Sequence, residues 1–141
     1  MGQDHSTHER SPSGPGYRLD VAVDGDIFRV QVSGDVDAQA VRLAYWREIV
    51  AAAQLRHCRK LLVIDRKKGQ PATPQELAEL AQAFHAQADL FERVAVVEPT
   101  AAFLPAVQHG EILARTLDIN VRIFADVVSA ERWLRFGSAD D

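Results

Sequence analysis

Residues 61–65 read LLVID, four consecutive apolar side chains followed by a carboxylate. An uninterrupted apolar run of this length is typical of a strand that is covered on both faces, as in parallel sheets. Residues 66–72 are polar, and residues 73–76, TPQE, have the composition of a capped helix start: a threonine cap, a proline in the first turn and a glutamate that can close a capping box. We therefore predict a central strand over 61–64, followed by a loop and a helix.

The chain before this strand predicts a hairpin and a long helix. Residues 17–23 alternate between apolar and polar side chains, and the turn Asp24-Gly25-Asp26 separates them from a second strand over 27–32. Asp37 is a suitable helix cap, and an amphipathic helix is expected from there to about Leu55.

After the central strand, single short strands alternate with helices. Strands are expected at 94–97 and 121–124, a helix follows each of them, and Asp126 is suited to cap the last helix. Alternation of this kind implies parallel neighbours joined by right-handed crossovers. The sequence thus predicts an α/β fold, with a mixed, mostly parallel sheet of about five strands and helices on both faces.

Length and composition predict one domain between two tails. The chain has 141 residues, of which 47% are hydrophobic, and this suits a single core. Residues 1–16 hold serines, glycines and prolines with few apolar side chains, so we expect a disordered tail there. The domain is expected over 17–136, and 137–141 form a C-terminal tail.

Charge and targeting signals narrow the expected partners and location. The net charge of -4 gives no reason to expect nucleic acid as a partner. The sequence has no apolar run long enough for a transmembrane segment, and its polar N-terminus and single cysteine, Cys58, predict a cytoplasmic protein. Neither a phosphate-binding glycine motif nor a metal-ligand spacing occurs, so no cofactor and no metal are expected.

The order of elements resembles the SpoIIAA-like, or STAS, family of anti-sigma-factor antagonists. The ending 121–126, VRIFAD, followed by Ala130, Trp133 and Leu134, is similar to the branch labelled STAS/SEC14. The similarity spans roughly Tyr17 to Phe136. It implies the SpoIIAA-like topology, ββαβαβαβα, and a non-enzymatic regulatory or protein-interaction module.

Family antagonists carry an Asp-Ser pair after the central strand, and phosphorylation of the serine switches partner binding. Asp65 matches the strand-ending carboxylate of that pattern, but no serine follows it. Thr73 is the only hydroxyl of the loop. Regulatory phosphorylation at Thr73 is therefore an alternative to a purely structural capping role.

The loop after the central strand is the candidate binding site. Carboxyl ends of parallel strands and helix N-termini are where open sheets bind ligands. We expect three mobile cations here, facing a protein partner or a small anionic ligand, whereas a solvated loop without a ligand is the alternative. The candidate binding residues are Asp65, Arg66, Lys67, Lys68, Gly69 and Thr73.

Two further functions remain open at this point. The Sec14-like side of the resemblance implies a carrier of a small apolar or lipid-like ligand, which requires an apolar pocket between helices and sheet, with Ile49, Leu80, Phe84 and Phe103 as candidate lining residues. An enzyme of unrecognised chemistry is a weaker alternative, because no catalytic constellation is found and the protein is expected not to be an enzyme. A homodimer is compatible with the sequence.

Overall fold

The computed structural model describes residues 9–10, 16–36 and 38–137, with the backbone alone at Glu9, Arg10 and Ala88. The strands are β1 Glu9–Arg10, β2 Arg18–Asp24, β3 Ile27–Ser33, β4 Lys60–Asp65, β5 Arg93–Val97 and β6 Val121–Phe124. The α-helices are α1 Gln39–Leu55, α2 Pro74–Phe84, α3 Leu104–Arg115 and α4 Val127–Phe136. Short 3-10 segments, His85–Leu90 and Ala101–Phe103, follow α2 and precede α3.

The strands form one sheet in the order β1-β2-β3-β4-β5-β6. The pairs β1–β2 and β2–β3 are antiparallel, and the pairs from β3 to β6 are parallel. The prediction of a mixed, mostly parallel α/β sheet is confirmed. Residues 61–64 lie in its interior, because β4 has β3 on one side and β5 on the other.

The apolar run 61–64 is explained by two separate cores. Leu61 and Val63 point to the face that carries α1, whereas Leu62 and Ile64 point to the face that carries α4. Successive side chains of a strand point to opposite faces, so a strand that is covered on both sides needs apolar residues at every position.

The helices are divided unequally between the two faces. The core of the first face includes residues of α1 and α3, with Ala81 of α2 packed against it. The core of the second face contains Ala130, Trp133 and Leu134 of α4. Helices on both faces are therefore as predicted, with the three crossover helices together on one side.

The chain ends differ from the sequence expectation at one short segment. Glu9 and Arg10 pair with β2, although 1–16 were expected to form a disordered tail. Backbone pairing with the outer edge of a hairpin needs no apolar side chains, so composition gave no sign of it. The other residues of 1–15, the predicted cap Asp37 and residues 138–141 lie outside the described residues; α1 begins with Ala38 at its N-cap position.

Candidate functional site

A cavity of about 200 Å³ lies between α2, α3 and the first face of the sheet. Most of its lining is apolar, and it includes Trp46, Val50, Val63, Leu80, Phe84 and Phe103. The cavity exists because α2 stands away from the sheet: none of its residues is buried. Instead α2 packs on α3, where a Cβ atom at Gly110 would lie 3.2 Å from a methyl group of Leu77.

Three of the four predicted pocket residues line this cavity, and the fourth does not. Leu80, Phe84 and Phe103 are lining residues. Ile49 is fully buried in the core between α1 and the sheet, so its predicted place in the pocket is wrong. A helix turns by about 100° per residue, which directs the next residue, Val50, to the cavity while Ile49 faces the strands.

One end of the cavity is polar. The side chains that line it there come from α1, from the end of β4 and the loop behind it, and from the residue after β5; they are Arg42, Tyr45, Asp65, Lys67 and Glu98. Parallel strands bring their carboxyl ends to one edge of the sheet, so Asp65 and Glu98 meet there. We refer to these five side chains as the polar end.

Lys67 is the member of the polar end that differs most from expectation. Its ammonium group forms an ion pair with Asp65 and lies 5.8 Å from the centre of the Tyr45 ring. Burial lowers the pKa of Lys67, but Tyr45 and Asp65 raise it by more, so the pKa lies above its usual value. The pKa of Tyr45 is raised as well, mainly by burial. At neutral pH Lys67 is therefore charged and the Tyr45 hydroxyl keeps its proton.

The prediction of three mobile cations is therefore wrong for Lys67, whereas Arg66 and Lys68 are exposed. The physical reason is that the loop continues the sheet. Arg66 N donates to Val32 O over 2.8 Å and Lys68 N donates to Gly34 O over 2.7 Å, so the β3–β4 ladder extends past the end of β4. Side chains along an extended strand alternate, which turns Lys67 inward and its two neighbours outward.

Arg42 was missed by the sequence analysis. It is 2% exposed; its guanidinium donates to Gln70 O over 2.9 Å and to Glu76 Oε1 over 3.2 Å. These bonds tie α1 to the loop and to the first turn of α2. The sequence does contain a signal for the burial of Arg42. Its position shares one helix face with the buried residues Tyr45 and Ile49, and a charged residue is unusual on a buried face.

Glu98 carries the third carboxylate near this end of the cavity, after Asp65 and Glu76. It is 5% exposed, and its Oε2 accepts a hydrogen bond from Thr100 N over 3.1 Å. Burial raises the pKa of Glu98, and the charge of Asp65 raises it further. Unlike Asp65, Glu98 has no ion pair within the part of the chain that is described.

Two buried polar atoms have no hydrogen-bond partner among the described residues, and both belong to residues that line the cavity. They are Arg42 Nε and Gln87 Oε1. Arg42, a residue of α1, contacts the first turn of α2 through Glu76, and Gln87 follows the last turn of α2. Buried polar groups without partners are uncommon in folded proteins, so their coincidence with the cavity points to a site that receives something polar.

The remaining candidate residues of the loop, Gly69 and Thr73, are exposed, and Gly69 also lines the cavity. Gly69 is exposed and has a φ of +109°, a conformation that favours glycine. Thr73 forms the predicted capping box: its Oγ1 accepts from Glu76 N over 3.1 Å, and Thr73 N donates to Glu76 Oε1 over 3.0 Å. No cluster of three or more histidine, cysteine, aspartate or glutamate side chains suited to a metal ion is found over the described ranges.

Replacing Thr73 with alanine is expected to lower the free energy of unfolding by about 1 kcal/mol, the usual contribution of an N-cap. Urea denaturation of Thr73→Ala and Thr73→Ser measures this, because serine retains a capping oxygen. Equal stability of the alanine variant and the unchanged protein would contradict a stabilising role of the box.

The fold and the cavity are the basis for assigning a function, because two comparisons with known proteins find no match. No protein-family model matches the chain. No curated protein matches it either. None of the described helices has the length and apolar character needed to cross a membrane. The class that fold and site define is thus an α/β protein with an apolar cavity beneath one helix and charged side chains at one end of that cavity.

Proposed function

We propose that this protein binds a small molecule with an apolar body and one polar group, in the cavity beneath α2. The observation that carries the proposal is the cavity itself, which is lined mainly by apolar side chains and ends at Arg42, Lys67 and their carboxylate neighbours. Apolar pockets with a few convergent polar groups are the usual form of small-molecule sites. Binding rather than catalysis is proposed, because this arrangement supports orientation of a ligand and includes no activated nucleophile.

The size of the cavity limits the ligand. An engineered cavity of about 150 Å³ with apolar walls binds benzene. The present cavity, at about 200 Å³, is therefore suited to a molecule with one ring or a short chain. Each buried methylene contributes about 0.8 kcal/mol, so an eight-carbon body provides enough for measurable affinity.

We expect the outer wall, by which we mean α2 and residues 69–72, to move when the ligand enters. Because α2 has no buried residue, displacing it exposes less apolar surface than displacing α1 or α4. Its first turn is held to α1 by Gln39, whose Nε2 donates to Glu76 O over 2.8 Å, and by Arg42. The opposite end of α2 is the more suitable opening.

Filling the cavity tests this function. Ala81 of α2 lines the cavity, so Ala81→Phe is expected to weaken binding of the probe 2-octanone at least tenfold by occupying the space of the ligand. Titration calorimetry measures the affinity. Trp46, whose ring centre lies 6.4 Å from that of Phe84, provides a fluorescence signal from the cavity wall when Trp133→Phe removes the second tryptophan.

Ala83→Phe is the matched control, because Ala83 is an exposed residue of the same helix that does not line the cavity. It should retain the affinity of the unchanged protein. Absence of saturable binding to the unchanged protein, or equal losses in the two variants, would refute the proposed function.

A second candidate function is contact with an acidic partner through Arg66 and Lys68. The supporting observation is that these exposed cations project from a backbone that the extended β3–β4 ladder holds in place. Replacing both by alanine should abolish the salt-sensitive binding of a polyglutamate peptide, whereas Arg59→Ala, an exposed cation just before β4, should not. Peptide binding that is unaffected by the double replacement would rule this contact out.

A further inference from the structure

The chemistry of the ligand's polar group follows from the side chains around the polar end. We infer that this group is an uncharged hydrogen-bond acceptor, such as a ketone, ester or hydroxyl oxygen, and that it accepts a hydrogen bond from Arg42 Nε. This inference rests on the function proposed above. Two independent observations support this: an unpaired buried donor and the balance of charges beside it.

Arg42 Nε is a donor that nothing in the described chain satisfies. Its Nη atoms already donate to Gln70 O and Glu76 Oε1, but Nε has no partner, although the side chain is almost completely buried. Arg42 lines the cavity, and we infer that an atom bound there becomes the partner of Nε. The unpaired group is a donor, so its complement must be an acceptor.

The charges near Arg42 do not favour an anionic acceptor. Arg42 is paired with Glu76, and Lys67 is paired with Asp65. Both cations are thereby neutralised, and Glu98 remains as a third carboxylate whose polar contact is the amide of Thr100. Glu111, which also lines the cavity, lies 3.8 Å from Arg115 and accepts from Ile123 N. A carboxylate or phosphate ligand would add an unpaired negative charge to a partly buried site, which is strongly unfavourable.

A cationic ligand is not the complement of Arg42 either. An ammonium group has donors and no acceptor, so it would leave Nε unpaired. It would also place a third cation beside the Arg42 guanidinium and the Lys67 ammonium. An uncharged acceptor satisfies Arg42 and leaves the charge balance unchanged.

Matched eight-carbon probes test this inference: 2-octanone, octanoate and octylamine, with toluene as a probe that has no polar group. Calorimetry at neutral pH should show that 2-octanone binds at least tenfold more tightly than octanoate and octylamine. Arg42→Lys keeps a cation opposite Glu76 but removes the Nε donor, so it should reduce the ratio of 2-octanone affinity to toluene affinity about tenfold.

Glu98→Gln provides a second, independent test that does not depend on the folding of the Arg42 variant. It removes the surplus carboxylate while keeping an oxygen that can accept from Thr100 N. The affinity ratio of 2-octanone to octanoate should then fall about tenfold, because octanoate no longer meets an unpaired charge.

The outcomes separate this inference from the proposed function. If none of the four probes binds, the proposed function itself fails. If toluene binds but octanoate or octylamine binds more tightly than 2-octanone, the cavity function stands and the inference is wrong. The inference is also wrong if Arg42→Lys weakens the binding of toluene and of 2-octanone equally, or if Glu98→Gln leaves the ratio of 2-octanone affinity to octanoate affinity unchanged.

Discussion

Replacing Gly34 with alanine is expected to lower the free energy of unfolding by about 3 kcal/mol, the sum of backbone strain and overpacking. Gly34 has a φ of +124°, a region that L-residues with a side chain rarely adopt. An added Cβ atom would overlap the carbonyl oxygen of Gly16 and lie 2.9 Å from Tyr17 Cα. Both contacts are with backbone, so no side chain can rotate away to relieve them.

Gly25→Ala is the matched control for this prediction. Gly25 also has a positive φ, +64°, but a Cβ atom there would have no neighbour within 4 Å. The expected loss is therefore about 1 kcal/mol, from backbone conformation alone. Urea denaturation of both variants gives the comparison, and equal losses would show that the close approach of 16–17 to Gly34 contributes nothing.

The Gly34 variant also bears on the cavity. Gly34 O accepts the Lys68 N–H bond that continues the β3–β4 ladder beneath the loop. A shift of Gly34 would weaken this hydrogen bond, and the Lys67 side chain would then be held less firmly in its inward position. Where the variant remains folded, we therefore expect weaker binding of 2-octanone, while Gly25→Ala should keep the affinity of the unchanged protein.

Trp133→Ala should produce a loss of similar size on the other face, about 4 kcal/mol, which is typical of a large aromatic side chain removed from a core. Trp133 is 3% exposed, and its ring centre lies 5.8 Å from that of Phe124. The guanidinium carbons of Arg122 and Arg93 lie 5.2 and 5.8 Å from the Trp133 ring centre, so the ring also contacts two cations. Thermal and urea denaturation measure the loss.

Phe136→Ala is the control for Trp133, because Phe136 belongs to the same helix but is 77% exposed. Its replacement should change the stability by less than about 0.5 kcal/mol. The cavity lies across the sheet from α4, so folded Trp133→Ala protein should still bind 2-octanone. A loss of binding greater than the folded fraction explains would mean that the two faces are coupled.

Much of the fold could be predicted because its signals are local. The run 61–64 identifies a strand buried on both faces, and the hairpin around Gly25 and the capping box of Thr73 involve residues close together in the chain. Asp126 also caps α4 as predicted, with Ser129 N donating to its Oδ1 over 2.8 Å. In each case periodicity or a short hydrogen bond is sufficient, so distant residues need not be known.

The site was less predictable because it depends on how the elements are placed against each other. Leu80 and Phe84 line the cavity as expected from the resemblance, but apolar periodicity alone cannot distinguish a helix face that fills the core from one that lines a cavity. The gap between α2 and the sheet arises from the contact of α2 with α3 at Leu77 and Gly110. A contact between residues so distant in sequence leaves no local pattern.

Sequence alone was sufficient for the order of the elements from β2 to α4, the interior place of β4 and the caps of α2 and α4, because periodicity and capping act over a few residues. The tertiary structure decided which charges are buried: the continued ladder turns Lys67 inward to Asp65, and the approach of α2 buries Arg42 against Glu76. The burial of these charges depends on elements that are distant in the chain, β3 for Lys67 and α2 for Arg42, and only folding brings them together.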